Sequence, residues 1–566
     1  MPEDLKQNMP QPVKFEFKLN PEAKAKLIFL AVCFGLVFLI YGRSILGDFV
    51  FDDRAIVDHQ ALLTNLNSSD KILALPFWTE EAGLYRPVTL FSYALNILLF
   101  GFEPAGFHFI NLILYALSGF LIYLLVEKLF RKKLLAYLSG IIFLLLPIHA
   151  EAVAYITGRG EILALLFSLL AFLEIIKNKP PAVGLKKYKN YWLAGLWLFL
   201  ALGSKETAIA ALPLAALIIY FRETTRGKNF LRPEVFFKNL PAAAWLLSGT
   251  AAYLALRLAV LGRLHFLGVE TSLVENPLKF AAFWPRIFTS LKVLWLYTSK
   301  SFWPLNLCSD YSYNQIPIIN NFFNWETLLG LTILLFSAAA VFLFLKRAPL
   351  LALGSAWFLF GYLPISNLFF PTGTIMGERL MYFPSVGLSF FLAYVLDAVF
   401  KLEPRKVFNY LAWGLLAGLA IGYSVIGFLR AGDWQTEERL FVSAAECAPS
   451  SVLSRSNLGA AYYLEGNLVQ AKKELLAAQE IYGGYPKGIN NLGLIYWKEG
   501  DNIKARELFL RALDNRFPYY GAYENLALVS LAEGKIDEAR GWLGKLYGND
   551  KMTIEEIINN YLMAAE

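Results

Sequence analysis

The sequence predicts an all-α chain in two parts: a polytopic membrane domain of about 11 transmembrane helices, then a C-terminal solenoid of short helical repeats. Three observations predict it. The 566 residues are 57% hydrophobic and 16% aromatic but only 17% charged, a composition foreign to an ordinary soluble globule. Apolar runs approaching the roughly 20 residues that cross a bilayer recur up to residue 429. Beyond residue 433 the chain turns charged and alanine-rich, and a pattern returns every 34 residues.

Residues 1–25 are polar and carry Lys6, Lys14, Lys18 and Lys24, which places this segment in the cytoplasm by the positive-inside rule. The apolar run that follows is full length, so it reads as an anchor and not a cleaved signal peptide. The membrane domain is expected over 26–432, with spans at 26–46, 107–130, 134–147, 160–176, 191–203, 205–221, 241–261, 326–345, 350–368, 385–400 and 409–429. Basic loops (Arg131 to Lys133; Lys177, Lys179, Lys186, Lys187 and Lys189; Arg222, Arg226, Lys228, Arg232 and Lys238; Lys346 and Arg347; Lys401, Arg405 and Lys406) then all fall on one side. That puts 47–106, 262–325, 370–384 and the whole repeat domain on the external, periplasmic or lumenal side. Residues 87–100 and 285–303 are expected at the interface, the latter alternatively re-entrant.

The repeat domain is expected over 433–566, in units near 452–485, 486–519 and 520–553. Asn457-Leu458-Gly459, Asn491-Leu492-Gly493 and Asn525-Leu526-Ala527 are in register, as are Ala471, Ala505 and Ala539. Small residues where paired helices approach, with large ones between, are the tetratricopeptide pattern.

The net charge of +7 is accounted for by membrane topology, so no nucleic-acid partner is expected. Cys33, Cys308 and Cys447 suggest neither a disulfide framework nor a metal site, and four scattered histidines make no zinc motif. No nucleotide phosphate loop is present.

The chemistry concentrates in the expected external loops. Asp52-Asp53 follows the first span directly, where one carboxylate can act as a general base and its neighbour position the acceptor or hold a divalent cation. Three further loops set a cation beside a glutamate where a helix returns: Arg159 with Glu161, Lys205 with Glu206, and Arg379 with Glu378. Helix N-termini attract phosphate, and a cation there strengthens the site. The runs ending at His149 and Ser204 are short for a bilayer, so their outer ends should dip into a protein-lined cavity. The competing expectation is that these charges are structural ion pairs, with Asp52 or Asp53 merely capping a helix or pairing with Arg54.

The ordered set Phe49-Val50-Phe51-Asp52-Asp53, Tyr85-Arg86-Pro87, Gly106-Phe107-His108, Pro147-Ile148-His149-Ala150-Glu151, Gly158-Arg159-Gly160-Glu161, Ser204-Lys205-Glu206 and Glu378-Arg379-Leu380-Met381-Tyr382 resembles the transmembrane and tetratricopeptide-repeat O-mannosyltransferase family. The resemblance covers nearly the whole chain. It implies a GT-C glycosyltransferase fold and a polyprenyl-phosphate sugar donor used on the non-cytoplasmic face. It also matches Asp52 and Asp53 to the catalytic acidic motif of the first external loop. The chain has fewer repeats than the animal members, so their acceptor proteins do not carry over.

The expected function is therefore inverting transfer of a sugar, mannose by resemblance, from a polyprenyl-phosphate carrier to a hydroxyl of a protein or peptide held by the repeats. Asp52 is the expected base, assisted by Asp53. Arg159, Lys205 and Arg379 are expected at the donor phosphate, with Arg86, His149, Glu151, Glu161, Glu206 and Glu378 lining the site. The alternatives are an envelope-glycan ligase or polymerase and a non-enzymatic membrane-anchored scaffold.

Overall fold

Proline, glycine and charge punctuate the apolar runs, and helices form between these marks. The computed structural model describes residues 20–54, 56, 63–64, 69–77, 83–177, 191–225, 227, 233–262, 271–401, 406–548 and 550–565. Lys6, Lys14, Lys18, the basic residues of 178–190, and Arg226, Lys228, Arg232 and Arg405 lie outside them. The described residues contain helices and turns, with no strand among them.

The first helix, Pro21–Tyr41, opens with Asn20 accepting from the Ala23 amide (2.7 Å) and a proline at its first turn, a start that satisfies the free N–H groups. Each expected span coincides with a helix, from Pro104–Phe130 to Lys406–Asp433. Length and apolarity alone qualify six described helices to cross a membrane, or seven if the bent pair Lys133–Leu145 and Pro147–Ala154 (54°) is one span. The expected count of 11 is therefore not reached on length. These apolar helices mark an integral membrane protein.

The shortfall has a cause. Lys133–Leu145 and Trp192–Ser204 are 13 residues each, about 20 Å of helix against about 30 Å of hydrocarbon. Pro147 ends the first and the extended Lys205 ends the second. The irregular backbone beyond the first is almost entirely buried against other helices, and that beyond the second is partly buried. Close helix contacts hold these ends in place. A Cβ on Gly249 would lie 2.2 Å from the Gly195 carbonyl oxygen, so Trp192–Ser204 packs backbone to backbone on Pro233–Leu261.

Beyond Asp433, the helix Glu437–Cys447 leads into three helix pairs: Val452–Leu464 with Leu468–Ile481, Pro486–Lys498 with Asn502–Leu513, and Gly521–Ala532 with Ile536–Tyr547. Lys551–Ala565 packs on the last. Gly466, Gly500 and Gly534, 34 residues apart, turn each pair with φ of 79°, 83° and 73°, a conformation glycine adopts without strain. Gly459 and Gly493 face Leu475 and Phe509 so closely that a Cβ would sit 2.6 Å away in each case.

One expectation is overturned. Cys308 and Cys447 form a disulfide across 139 residues, while Cys33 is free and buried. The partners lie on separate elements, so their spacing carries no local signal. Around this bridge the repeats are joined to the membrane part. Asp310 accepts from the Ser454 hydroxyl (2.7 Å) and also bonds Ser451, and the amides of Asn314 and Val452 bond across the same seam.

Candidate active site

Asp52 and Asp53 occupy one 3₁₀ turn, Phe51–Asp53, and the turn points them in different directions. Asp53 is fully buried. Its Oδ1 accepts from the Thr157 amide (2.9 Å) and its Oδ2 from the Val50 amide (3.3 Å). Burial pushes the Asp53 carboxyl well above its usual range against the pull of these two amides, and the Asp52 charge adds to the rise. Asp52 is half-buried, and its carboxylate has no hydrogen bond or ion pair among the described residues. The pair therefore offers one open carboxylate and one that ties the turn to the 156–158 segment. No described group of three or more His, Cys, Asp or Glu side chains could hold a metal ion.

Asp52 stands where two cavities meet. The larger, about 600 Å³, is also lined by Arg86, Tyr155, Lys205, Glu206, Arg257 and Arg379. The smaller, about 190 Å³, brings Asp52, Glu151 and Arg379 against Trp434, Phe441 and the first repeat helix through Leu453, Ser454 and Asn457. Asp52, Glu275, Gly373, Thr374 and Arg379 line both.

The cations are held by carboxylates from other loops, not by their sequence neighbours. Lys205 pairs with Glu161, and Arg379 pairs with Glu151, whose Oε2 also accepts from the Arg379 amide (2.8 Å). Arg86 reaches Glu206 at 3.0 Å, and Arg257 lies 3.6 Å from the same carboxylate. Burial disfavours the Arg379 charge, but Glu151 more than offsets it and holds the guanidinium more basic than usual. Glu378 turns away to accept from Tyr311 (2.6 Å) and the Cys308 amide, 3.8 Å from Arg430. Burial raises its carboxyl to about 7, against the pull of Arg430.

Five expected residues do not line the cavities: Asp53, Glu161, Glu378, Arg159 and His149. Arg159 is fully buried: Nε donates to Asn111 (2.7 Å), Nη1 to the Ser92 carbonyl (3.2 Å), and Nη2 to Asn96 (2.9 Å) and the Phe107 carbonyl (2.8 Å). With every guanidinium nitrogen engaged, it clamps Pro87–Phe100 and Pro104–Phe130 to its own helix, away from the cavities. His149 lies between Tyr115 (2.9 Å) and Ser385 (2.7 Å), inside the bundle. Glu161, Glu151 and Glu378 act on the site through the cations or loops they hold.

Arg257, Tyr155 and Glu275 were not anticipated. Arg257 had a signal: it is the sole charge in the apolar run 241–261, and a lone ionisable group at that depth marks a functional or paired position. Tyr155 had none. It stacks on Trp434 (centroids 4.8 Å apart) across 279 residues, so that Tyr155 lines the larger cavity and Trp434 the smaller.

The family model for dolichyl-phosphate-mannose-protein mannosyltransferases matches residues 85–253, the stretch that carries Arg86, Glu151, Glu161, Lys205 and Glu206. The human protein O-mannosyl-transferase TMTC3 is 29% identical over 490 residues, covering 79% of this chain and 50% of the relative. The Caenorhabditis elegans protein O-mannosyl-transferase F38B6.6 is 27% identical, covering 76% of this chain and 59% of the relative. For human TMTC4 the figures are 28%, 76% and 63%. The chain thus spans between half and two thirds of the length of these relatives. Among solved structures, the archaeal oligosaccharyltransferase AglB of Archaeoglobus fulgidus, in complex with an inhibitory peptide and a dolichol-phosphate, aligns at a TM-score of 0.39 and 14% identity over 72% of this chain and 56% of that one. That likeness is too loose to argue from. The sequence matches agree with the resemblance carried by the ordered motifs: the chain is similar to the protein O-mannosyl-transferases.

Proposed function

We propose that this chain is a membrane glycosyltransferase of GT-C type that moves a sugar, mannose by its relatives, from a polyprenyl-phosphate carrier to a hydroxyl of a protein acceptor. The observation that carries the reading is the open Asp52 carboxylate at the junction of two cavities, one of them lined by four cations. In this scheme the carrier phosphate lies in the larger cavity against Lys205 and Arg379, with Arg86 and Arg257 behind. The acceptor hydroxyl enters from the smaller one. Asp52 takes the hydroxyl proton as the oxygen attacks the anomeric carbon from the face opposite the phosphate. The bond between that carbon and the phosphate oxygen breaks, and the cations stabilise the charge left on the carrier. Attack from the opposite face inverts the anomeric carbon. Asp53 and the Thr157 amide hold the turn that aims Asp52.

We further read the three helix pairs as tetratricopeptide units that bring a polypeptide to Asp52, raising its effective concentration. Supporting this, the first repeat helix forms part of the smaller cavity's wall. The site is assigned to the non-cytoplasmic face with the N-terminus inside. Supporting that, the Cys308–Cys447 disulfide lies on the same end of the molecule as Asp52, and disulfides persist in oxidising compartments.

The test is transfer from a radiolabelled polyprenyl-phosphate sugar by the purified full chain, with peptide and glycan acceptors in parallel. Label entering protein supports the reading. Label entering glycan alone, or no transfer by a protein that retains its donor, overturns it.

A further inference from the structure

At the end of the bundle opposite Asp52 a third cavity, about 460 Å³, opens between helix ends. Its mouth carries Lys132, Arg347 and Lys401, and its walls Tyr394, Leu135 and Leu350. Its position follows from the helices themselves. Ser385–Lys401 begins beside Arg379 and ends here, and Pro349–Tyr362 begins here and leads to Ile365 on the larger cavity. Seventeen residues of helix span about 25 Å, close to the thickness of a hydrocarbon core. This cavity therefore lies at the other headgroup level.

The charges here are unlike those around Asp52. One carboxylate, Asp397, lines the cavity and is paired with Lys401. Lys132 and Arg347 are exposed, and their side chains make no ion pair or hydrogen bond among the described residues. Two helices also start at the rim, Lys133–Leu145 and Pro349–Tyr362, and neither has a side-chain cap. Their first amides add positive potential to that of the cations. The left-handed Arg131 (φ 56°) makes the tight turn that sets Lys132 at the mouth.

We propose that this cavity binds the phosphate of an anionic phospholipid headgroup, with Lys132 and Arg347 as its ligands and the apolar walls taking the start of the acyl chains. A basic pocket between transmembrane helices at headgroup level is suited to such a lipid. A polar anion free in solution would gain nothing from Leu135 and Leu350. The inference does not depend on the transferase reading.

The test uses the full chain in detergent, titrated with dihexanoyl-phosphatidylglycerol, dihexanoyl-phosphatidylcholine and inorganic phosphate, with the melting midpoint as readout. Wild type is expected to gain a saturable rise with phosphatidylglycerol and none with phosphatidylcholine. Its midpoint concentration should increase about fivefold for each of Lys132→Gln and Arg347→Gln. Lys346→Gln, a neighbouring cation that does not line the cavity, should leave it unchanged. If Lys132→Gln does not fold, Arg347→Gln alone, at an exposed side chain, is read in the same titration. A rise with inorganic phosphate that Arg347→Gln weakens keeps the phosphate site but makes a free anion its occupant. Equal titrations for wild type and Arg347→Gln overturn the proposal, as does an equal loss from Lys346→Gln, which would reduce the effect to general surface charge.

Discussion

The two ends of the helix bundle treat the same residue types in opposite ways. Around Asp52, Arg86, Lys205 and Arg379 each lie against a carboxylate brought from another loop, all of them largely buried. At the far end, Lys132 and Arg347 are exposed and have no such partner among the described residues. Solvation accounts for the difference. A cation away from water must be compensated, whereas one at headgroup level is stabilised by water and lipid phosphate. The Asp52 end is thus a set of paired, largely buried charges, and the far end a set of exposed ones.

The largest effect should come from the one uncompensated charge at the Asp52 end. Asp52→Asn should lower transfer by about 10² to 10⁴ with the melting midpoint unchanged, because no described residue is bonded to that carboxylate. Asp53→Asn should instead lower stability, since an amide cannot accept from both Val50 and Thr157. Wild-type rates in the Asp52→Asn variant would break the contrast at its centre.

Lys205→Met comes next. It leaves Glu161 buried and alone, and should cost about 3–5 kcal/mol of stability. Lys205→Met with Glu161→Gln should restore part of that loss but none of the donor binding. If the double variant recovers both, the pair is purely structural and the phosphate assignment fails.

Glu378 gives an effect of similar kind with a pH signature. Its folded pKa, raised to about 7, exceeds the unfolded value of about 4.5, so the native state holds the extra proton between these values. Its contribution is therefore full below pH 4.5 and is lost as pH rises through 7, by up to about 3 kcal/mol. Melting curves of wild type and Glu378→Gln between pH 4 and 8 should diverge, the variant losing less stability as pH rises. Parallel curves would remove Glu378 from the set of strained charges. The smallest effect belongs to the far end: Lys132→Gln or Arg347→Gln in phosphatidylcholine alone should change stability by less than about 0.5 kcal/mol.

Much of this molecule is legible in local sequence. Hydropathy located a helix at every expected run, and the 34-residue period placed the helix pairs, because both follow from contacts a few residues apart. The ordered motifs pointed to Asp52 and to the family that the comparisons return. The charge-to-charge pairing was not legible. Arg159 and Glu161 are near neighbours on one helix, yet Arg159 bonds amides and carbonyls while Glu161 reaches Lys205, 44 residues on.

What the sequence determined by itself is the set of elements and the chemical inventory at the loops between them: paired acids, short helices, cations, small residues at helix contacts. Which acid faces a cavity, which cation remains for a phosphate, and that Cys308 meets Cys447 were decided only by the tertiary structure. The reason is physical. Periodicity, capping and hydropathy act over one or two helical turns, but the partner of a buried charge is whichever group the packing of distant helices brings within about 4 Å. For Asp52, that packing brought no partner among the described residues.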